Sequence, residues 1–290
     1  MTDLTQPVES TAPDHGWRDD LRLLAGSPTF ICGAVIVLFW VGCALVGPSL
    51  VPYDPYADDL LNSLLPPSSD HWFGTDQLGR DVFSRVIVGA RDILTVAPLA
   101  TLLSTILGAA LGLTMGYFGG LLDEVLSRLV DAVLALPTVI VALLALTALG
   151  TSTVTVLVVI AFSFAPIIAR TVRSAVLAEV GLDYVAAAEL RRESTAYILF
   201  VEILPNVLPP ILVEATVRLG YAIFTVATLS FIGFGIQPPS PDWGLTISAN
   251  YGMIGGGFWW TVLFDGAAIA SLVIGINLVA DGIESALHDG

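Results

Sequence analysis

The chain has 290 residues, 55% of them hydrophobic and 13% charged, with a mean hydropathy of +0.84. A soluble domain carries roughly a quarter charged residues, so the composition is that of an integral membrane protein. A net charge of −15 argues against nucleic acid, which needs a basic face, and the absence of lysine excludes both a Walker A phosphate loop and a Schiff base. Any ATP-driven work must therefore draw on nucleotide bound by another chain.

Residues 1–26 form a polar tail with Pro7 and Pro13. Arg18 and Arg22 precede an apolar run whose length suits a retained transmembrane helix over 27–50 rather than a cleaved signal. On that helix Cys32 and Cys43 stand about 16 Å apart along the axis, too far to bridge, and read as packing residues. From 51 to 92 the chain is polar and rich in proline, with an amphipathic helix expected from about Arg80. If the first helix crosses once, this segment lies outside the cell.

The next charge-free run, Ile93 to Leu122, supplies a second span. Ser104, Gly108, Gly112 and Gly116 recur every four residues, a stripe of small groups that favours close helix packing over the lining of a pore. Leu121 to Asp131 reads as an interfacial helix with Glu124, Ser127, Arg128 and Asp131 on one face. As one helix, Ala132 to Ala169 would run about 57 Å, nearly twice the bilayer core, so it must fold back at Gly150–Thr153 into a third and a fourth span.

A polar stretch, 170–205, then interrupts the apolar pattern with Arg170, Arg173, Arg191 and Arg192 beside five acids. A fifth span follows from about Val207, with Pro209 and Pro210 suited to its first turn. Inside it Glu214 and Arg218 form an i, i+4 pair, either ordering the bundle or lining a path. A glycine- and proline-rich outer loop occupies 233–257, and a sixth span begins at Phe258. The expected domain plan is a five-helix core over 93–283 and a cytoplasmic tail over 284–290. Six spans with both termini inside place seven arginines in the cytoplasm and three outside, in the sense of the positive-inside rule. His15, His71 and His288 are scattered, so no metal site is supported. No histidine lies within a span, which also disfavours an intramembrane enzyme. A secondary transporter would show more intramembrane charge and two similar halves.

The stretch Tyr184-Val185-Ala186-Ala187-Ala188, followed by Ile203-Leu204-Pro205-Asn206, resembles the EAA loop of bacterial ABC importer permeases. Three further stretches are similar to the OppC/DppC type of the oligopeptide and dipeptide importers. They are Phe73-Gly74-Thr75-Asp76 with Gly79-Arg80-Asp81-Val82, then Leu229 to Gly235 with Trp243-Gly244, and Asn277-Leu278 with Asp281-Gly282. The resemblance implies an all-α permease of six transmembrane helices in the bacterial cytoplasmic membrane. Its implied partners are a homologous second permease, two ATP-binding subunits that hold the ATP and magnesium, and an extracytoplasmic substrate-binding protein on the outer loops. It implies ATPase docking through Tyr184, Val185, Ala186, Ala187, Ala188, Arg191, Arg192 and Ser194. The link to the fifth span would run through Ile203, Leu204 and Pro205, with Pro205 fixing a turn. Related permeases carry nickel chelates, haem or other small solutes, so peptide is the leading substrate class among several. The chain departs from the family at Ala186, where a glutamate is usual, and at Arg192, where a glycine is.

Overall fold

In a bilayer each backbone polar group must be satisfied within its own segment, so long apolar runs become helices. In the computed structural model, which describes residue 24 and residues 26–289, the regular elements among the described residues are all helical. They are α1 (Pro28–Leu50), α2 (Val82–Phe118), α3 (Gly120–Leu134), α4 (Thr138–Leu149), α5 (Thr153–Val180), α6 (Asp183–Leu190), α7 (Leu204–Ile232), α8 (Trp243–Asn250) and α9 (Trp260–Asp289). A single turn, Thr195–Tyr197, and a π-helical segment, Ile198–Ile203, run straight into α7. Among the described residues, five helical stretches are long and apolar enough to cross a membrane: α1, α2, α5, Thr195–Ile232 and Trp260–Ser285. The bent pair α3–α4, meeting at 88°, is a candidate sixth. By itself α4 is only about 18 Å long, short of the roughly 30 Å core.

Several boundaries differ from the sequence reading. The amphipathic helix expected near Arg80 and the span expected from Ile93 are one 37-residue helix. Asp81 starts it, with Oδ2 accepting from the Ser84 backbone N–H at 2.8 Å and the Ser84 hydroxyl at 2.6 Å. No break follows until Gly119, and Arg85 in its first turn is turned inward. The polar stretch 170–205 is likewise largely helix: α5 carries Arg170 and Arg173 to Val180, and the final residues already belong to the α7 stretch. The tail expected from 284 continues α9 to Asp289. Of the tail expected over 1–26, only Leu24 and Gly26 lie within the described residues.

The stripe of small residues on α2 packs within the chain, against α5. A Cβ added at Gly108 would stand 2.6 Å from the Ile168 Cβ, at Gly112 2.6 Å from the Val172 Cβ, and at Gly116 2.7 Å from the Val176 Cβ. The two four-residue periods are in register, so each missing side chain on α2 admits a β carbon from α5. Close backbone approach of this kind stabilises helix pairs in lipid, where tails are as apolar as leucine and no hydrophobic force joins them.

Two apolar cores result. One, under the loop-rich end of the bundle, gathers Trp40, Val86, Ile93, Trp243, Trp260 and Leu272. The other, at the opposite end, gathers Leu113, Ile168, Val172, Val176, Val185, Ala188, Ile198 and Ile203.

The loop-rich end is closed by a polar cap. Gly79, at φ +76°, lies so near the Asp59 carbonyl that a Cβ would stand 1.7 Å from that oxygen, and only glycine fits. The fully buried Asp76 accepts from the N–H groups of Leu78 and Arg80 and pairs with the Arg80 guanidinium at 2.8 Å. The 51–81 segment is then locked to α8 and α9. Gln77 Nε2 donates to the Ala249 carbonyl at 3.1 Å, and Trp260 Nε1 donates to the Thr75 carbonyl at 3.1 Å. Phe73 stacks on Phe264 at 3.8 Å between ring centres.

Candidate functional site

Helix α6 is an eight-residue element that follows α5 and packs against the π-helical segment. Its alternation of faces follows from burial. Val185 and Ala188 are inside, 1% and 0% exposed, against Ile198, Ile203 and Val176. Ala186, Ala187, Glu189 and Leu190 face outward. The eight residues expected at a docking surface are therefore split. Ala186 and Ala187 lie at the surface, Val185 and Ala188 are the plug that seats the helix, Tyr184, Arg191 and Arg192 lie at its ends, and Ser194 caps the turn that follows.

Tyr184 holds the first end. Its hydroxyl donates to Glu179 Oε2 on α5 at 2.6 Å and accepts from Asn206 Nδ2 on α7 at 3.2 Å. Burial, and then the bond to the Glu179 carboxylate, push the phenol up to about 12, so it remains a protonated donor across the physiological range. Asn206 also donates to the Glu202 carbonyl at 2.8 Å. Arg191 holds the other end, with Nη2 2.9 Å from Glu202 Oε1 and Nε 3.6 Å from Glu193 Oε1. One small helix is thus bonded to α5 before it and to the α7 stretch after it.

The C-terminus of α6 is a Schellman motif. The Glu193 N–H donates to the Ala188 carbonyl at 3.2 Å and the Arg192 N–H to the Glu189 carbonyl at 2.9 Å. Arg192 occupies the left-handed position, at φ +56°, where glycine is the favoured residue. The geometry makes this position a helix stop. Ser194 caps the next turn, its Oγ accepting from the Tyr197 N–H at 3.2 Å.

The link onward is not the turn expected at Pro205. Helix continues through it, because the π-helical segment closes on an i−5 bond from the Leu204 N–H to the Leu199 carbonyl. The wider π turn accommodates a ring that would crowd a regular α-turn. Ile203 is buried in the core under α6, and Leu204 packs at its edge. Pro209 and Pro210 lie inside α7, not in its first turn, and leave the carbonyls of Pro205 and Asn206 without α-helical donors.

Farther along α7, Arg218 Nε stands 2.7 Å from Glu214 Oε1, an ion pair outside hydrogen-bonding angles. Each side chain is 17% exposed. Glu214 Oε2 accepts from the Thr171 hydroxyl of α5 at 3.4 Å, and the Arg218 guanidinium carbon lies 4.7 Å from the centre of the Tyr221 ring. The pair is tens of residues from α6 in the chain and is separate from it. Beside α6, Arg173 forms a two-bond pair with Asp123 of α3, at 2.6 and 2.7 Å, and joins the bent helix pair to α5. Glu179, Glu202 and Asn206, which do the clamping, stand in the sequence only as loop charges and the last residue of a motif. Their role needs the crossing of two helices. No group of three or more metal-ligating side chains occurs among the described residues.

A family described as "Binding-protein-dependent transport system inner membrane component" matches residues 108–289, and one described as "N-terminal TM domain of oligopeptide transport permease C" matches residues 17–67. The chain is 38% identical to the dipeptide transport system permease protein DppC of Alkalihalophilus pseudofirmus, across 93% of this chain and 89% of that one. It is 37% identical to the probable D,D-dipeptide transport system permease protein DdpC of Escherichia coli K12, across 91% and 89%. A solved structure of the MetNI methionine ABC transporter in inward-facing form has the same fold, with a TM-score of 0.57 over 70% of this chain and 96% of that one, at 19% identity.

Proposed function

This chain belongs to the family of binding-protein-dependent transport system inner membrane components, and on that premise we propose that it is the peptide-importing permease subunit of an ATP-driven transporter. It forms one half of a path through the membrane beside a homologous second permease. Two ATP-binding subunits supply the nucleotide chemistry that a chain without lysine lacks. The capped end faces outward and receives a substrate-binding protein on the segments 51–81 and 233–259; α6 and both termini face the cytoplasm.

The observation that carries this reading is the seating of α6. Ala186 and Ala187 point away from the bundle, while Tyr184 and Arg191 bond the helix to the elements on both sides. A helix held at both ends passes a push from a docked ATPase into α5 and α7 together. The continuous helix from Thr195 to Ile232 is the lever. The missing glutamate at Ala186 takes one charge from the docking surface and leaves contact to shape. The Glu214–Arg218 pair orders α7 against α5 through Thr171.

Replacing Ala187 with glutamate tests the docking role in the complete transporter reconstituted in vesicles. It puts a desolvated charge at the centre of the docked face, and we expect ATP-driven uptake of a radiolabelled dipeptide to fall at least tenfold, through lost ATPase assembly or uncoupled hydrolysis. Unchanged uptake together with a stable complex would remove α6 from the docking role. Uptake by the wild-type chain without ATP and ATPase subunits would overturn the transporter class.

A further inference from the structure

The seam between α7 and α9 holds a groove of about 320 Å3, within the size range of small-molecule sites, roughly 300–1,000 Å3. Gly220 forms its floor. A Cβ there would stand 3.0 Å from Asn277 Oδ1, so the amide of Asn277 lies across the space a side chain would take. Tyr221 and Phe224 form one wall, 56% and 61% exposed. On the other wall Asn277 and Asp281 lie one turn apart on α9, both exposed. The Asp281 carboxylate meets no hydrogen-bond or ion-pair partner among the described residues.

Depth narrows what can fill this groove. At 1.5 Å per residue, Phe224 lies about 12 Å below the capped end of α7 and Asp281 about 32 Å below the start of α9. The groove thus runs from mid-membrane to the α6 end. An exposed amide at that depth is costly against lipid and marks a surface that meets water or protein. A permanent helix–helix interface in a membrane is built on close packing of small residues against a complementary surface, as on α2 and α5. Here the surface is concave, wetted by an amide and an unpaired carboxylate, and walled by aromatic rings.

That lining suits a short peptide. The carboxylate complements an α-ammonium group, the amide complements peptide N–H and C=O groups, and the two rings accept side chains of varied shape without a fixed hydrogen-bond pattern. We propose that the α7–α9 groove is a contact station for the peptide in transit, with Asp281 meeting its ammonium group and Asn277 its backbone. The assignment rests on the peptide-import reading above. It gives a role to the Asn277-Leu278 and Asp281-Gly282 stretch, which the docking of an ATPase leaves without one.

The test places a photo-crosslinking benzoylphenylalanine at position 224 in the complete transporter, in vesicles turning over ATP with radiolabelled alanyl-phenylalanine. A matched probe at Ile274, an exposed apolar position of α9 outside the groove, is the control. Labelling at 224 should exceed labelling at 274 at least fivefold and be competed by unlabelled peptide. Adding Asp281→Asn or Asn277→Leu should cut both labelling and maximal uptake several-fold, while the complex still assembles and hydrolyses ATP. Peptide uptake with no label at 224, or with the probe captured by the second permease, overturns the groove. So does unchanged uptake and labelling in both variants. Absence of ATP-dependent uptake of any peptide by the wild-type complex is a different result: it removes the peptide-import reading, and the groove assignment falls with it.

Discussion

The capped end and the α6 end both hold polar side chains around an apolar core, but they do so in opposite ways. At the cap the polar groups are buried and their partners are far away in the chain. Arg85, 2% exposed, donates from Nη1 to the Pro55 carbonyl at 2.8 Å and from Nη2 to the Ser240 carbonyl and Thr246 Oγ1, 3.3 and 3.2 Å. At α6 the bonds lie at the surface and join neighbours: Arg191 to Glu202, Tyr184 to Glu179 and Asn206. Exposed ion pairs contribute about 0–1 kcal/mol each, whereas one half of a buried pair cannot be removed without stranding the other. The cap is therefore a fixed frame. The α6 clamp is a set of surface bonds around an apolar plug, each contributing little by itself.

The sharpest way to break this comparison is Arg85→Met, which keeps the volume and deletes the charge. Arg85 is the buried cation 3.9 Å from the buried Asp76 carboxylate, and its loss also leaves the Pro55 and Ser240 carbonyls without their donor. The variant should lose about 3–5 kcal/mol, read as a large fall in thermal midpoint in detergent. Removing the Arg191–Glu202 pair should cost about 1 kcal/mol or less in the same assay. Equal losses would erase the distinction between frame and clamp.

A second probe uses pH. Burial, with the nearby Asp92 charge adding to it, pushes the Asp242 carboxyl up to about 6, against a bond from the Leu245 N–H that pulls the other way. Its unfolded value is about 3.9. Between these values the folded form binds more protons than the unfolded one, so this group makes stability fall as pH rises from about 4 to about 6. Above that the cost is constant, at about 2–3 kcal/mol. Asp242 caps α8 through Oδ1, which accepts from the Leu245 N–H at 2.9 Å, a bond that asparagine retains. Asp242→Asn should flatten the pH 4–6 slope of the thermal midpoint and stabilise the chain at pH 7. An unaltered slope would place the titration elsewhere.

How much of this is legible in the sequence depends on the reach of each interaction. The Gly108–Gly112–Gly116 stripe carries its own period, so its packing role can be read directly, though not that α5 is its partner. The lengths of the apolar runs mark the spans, and the EAA-like residues locate α6. The start of α2 is obscured because Arg85 looks like a surface charge, and only partners at residues 55, 240 and 246 make it an inward one. Pro205 suggests a turn because a proline in an α-helix removes a donor. The π segment that accommodates it depends on Ile198 and Ile203 being buried under α6, which no local pattern encodes. The clamp is hidden for the same reason, since Glu179 and Asn206 meet at Tyr184 only after two helices cross.

The smallest effect is the most local, and it concerns the departure at Arg192. A side chain in the left-handed region costs about 1–2 kcal/mol, so Arg192→Gly should relieve part of that and gain about 0.5–1 kcal/mol after the extra freedom of the unfolded glycine is counted. Two opposing terms must be separated, because a cation near a helix C-terminus is itself favourable by about 0.3–1 kcal/mol. Arg192→Ala removes the charge but keeps the Cβ, so it should not gain. The site to watch is the Glu193 amide, whose bond to the Ala188 carbonyl closes the motif. Its hydrogen exchange should slow about two- to fivefold in Arg192→Gly and not in Arg192→Ala, with the cap amides unchanged in both. If alanine slows exchange as much as glycine, the cost at this position was charge and not backbone, and the helix stop at Arg192 is relaxed.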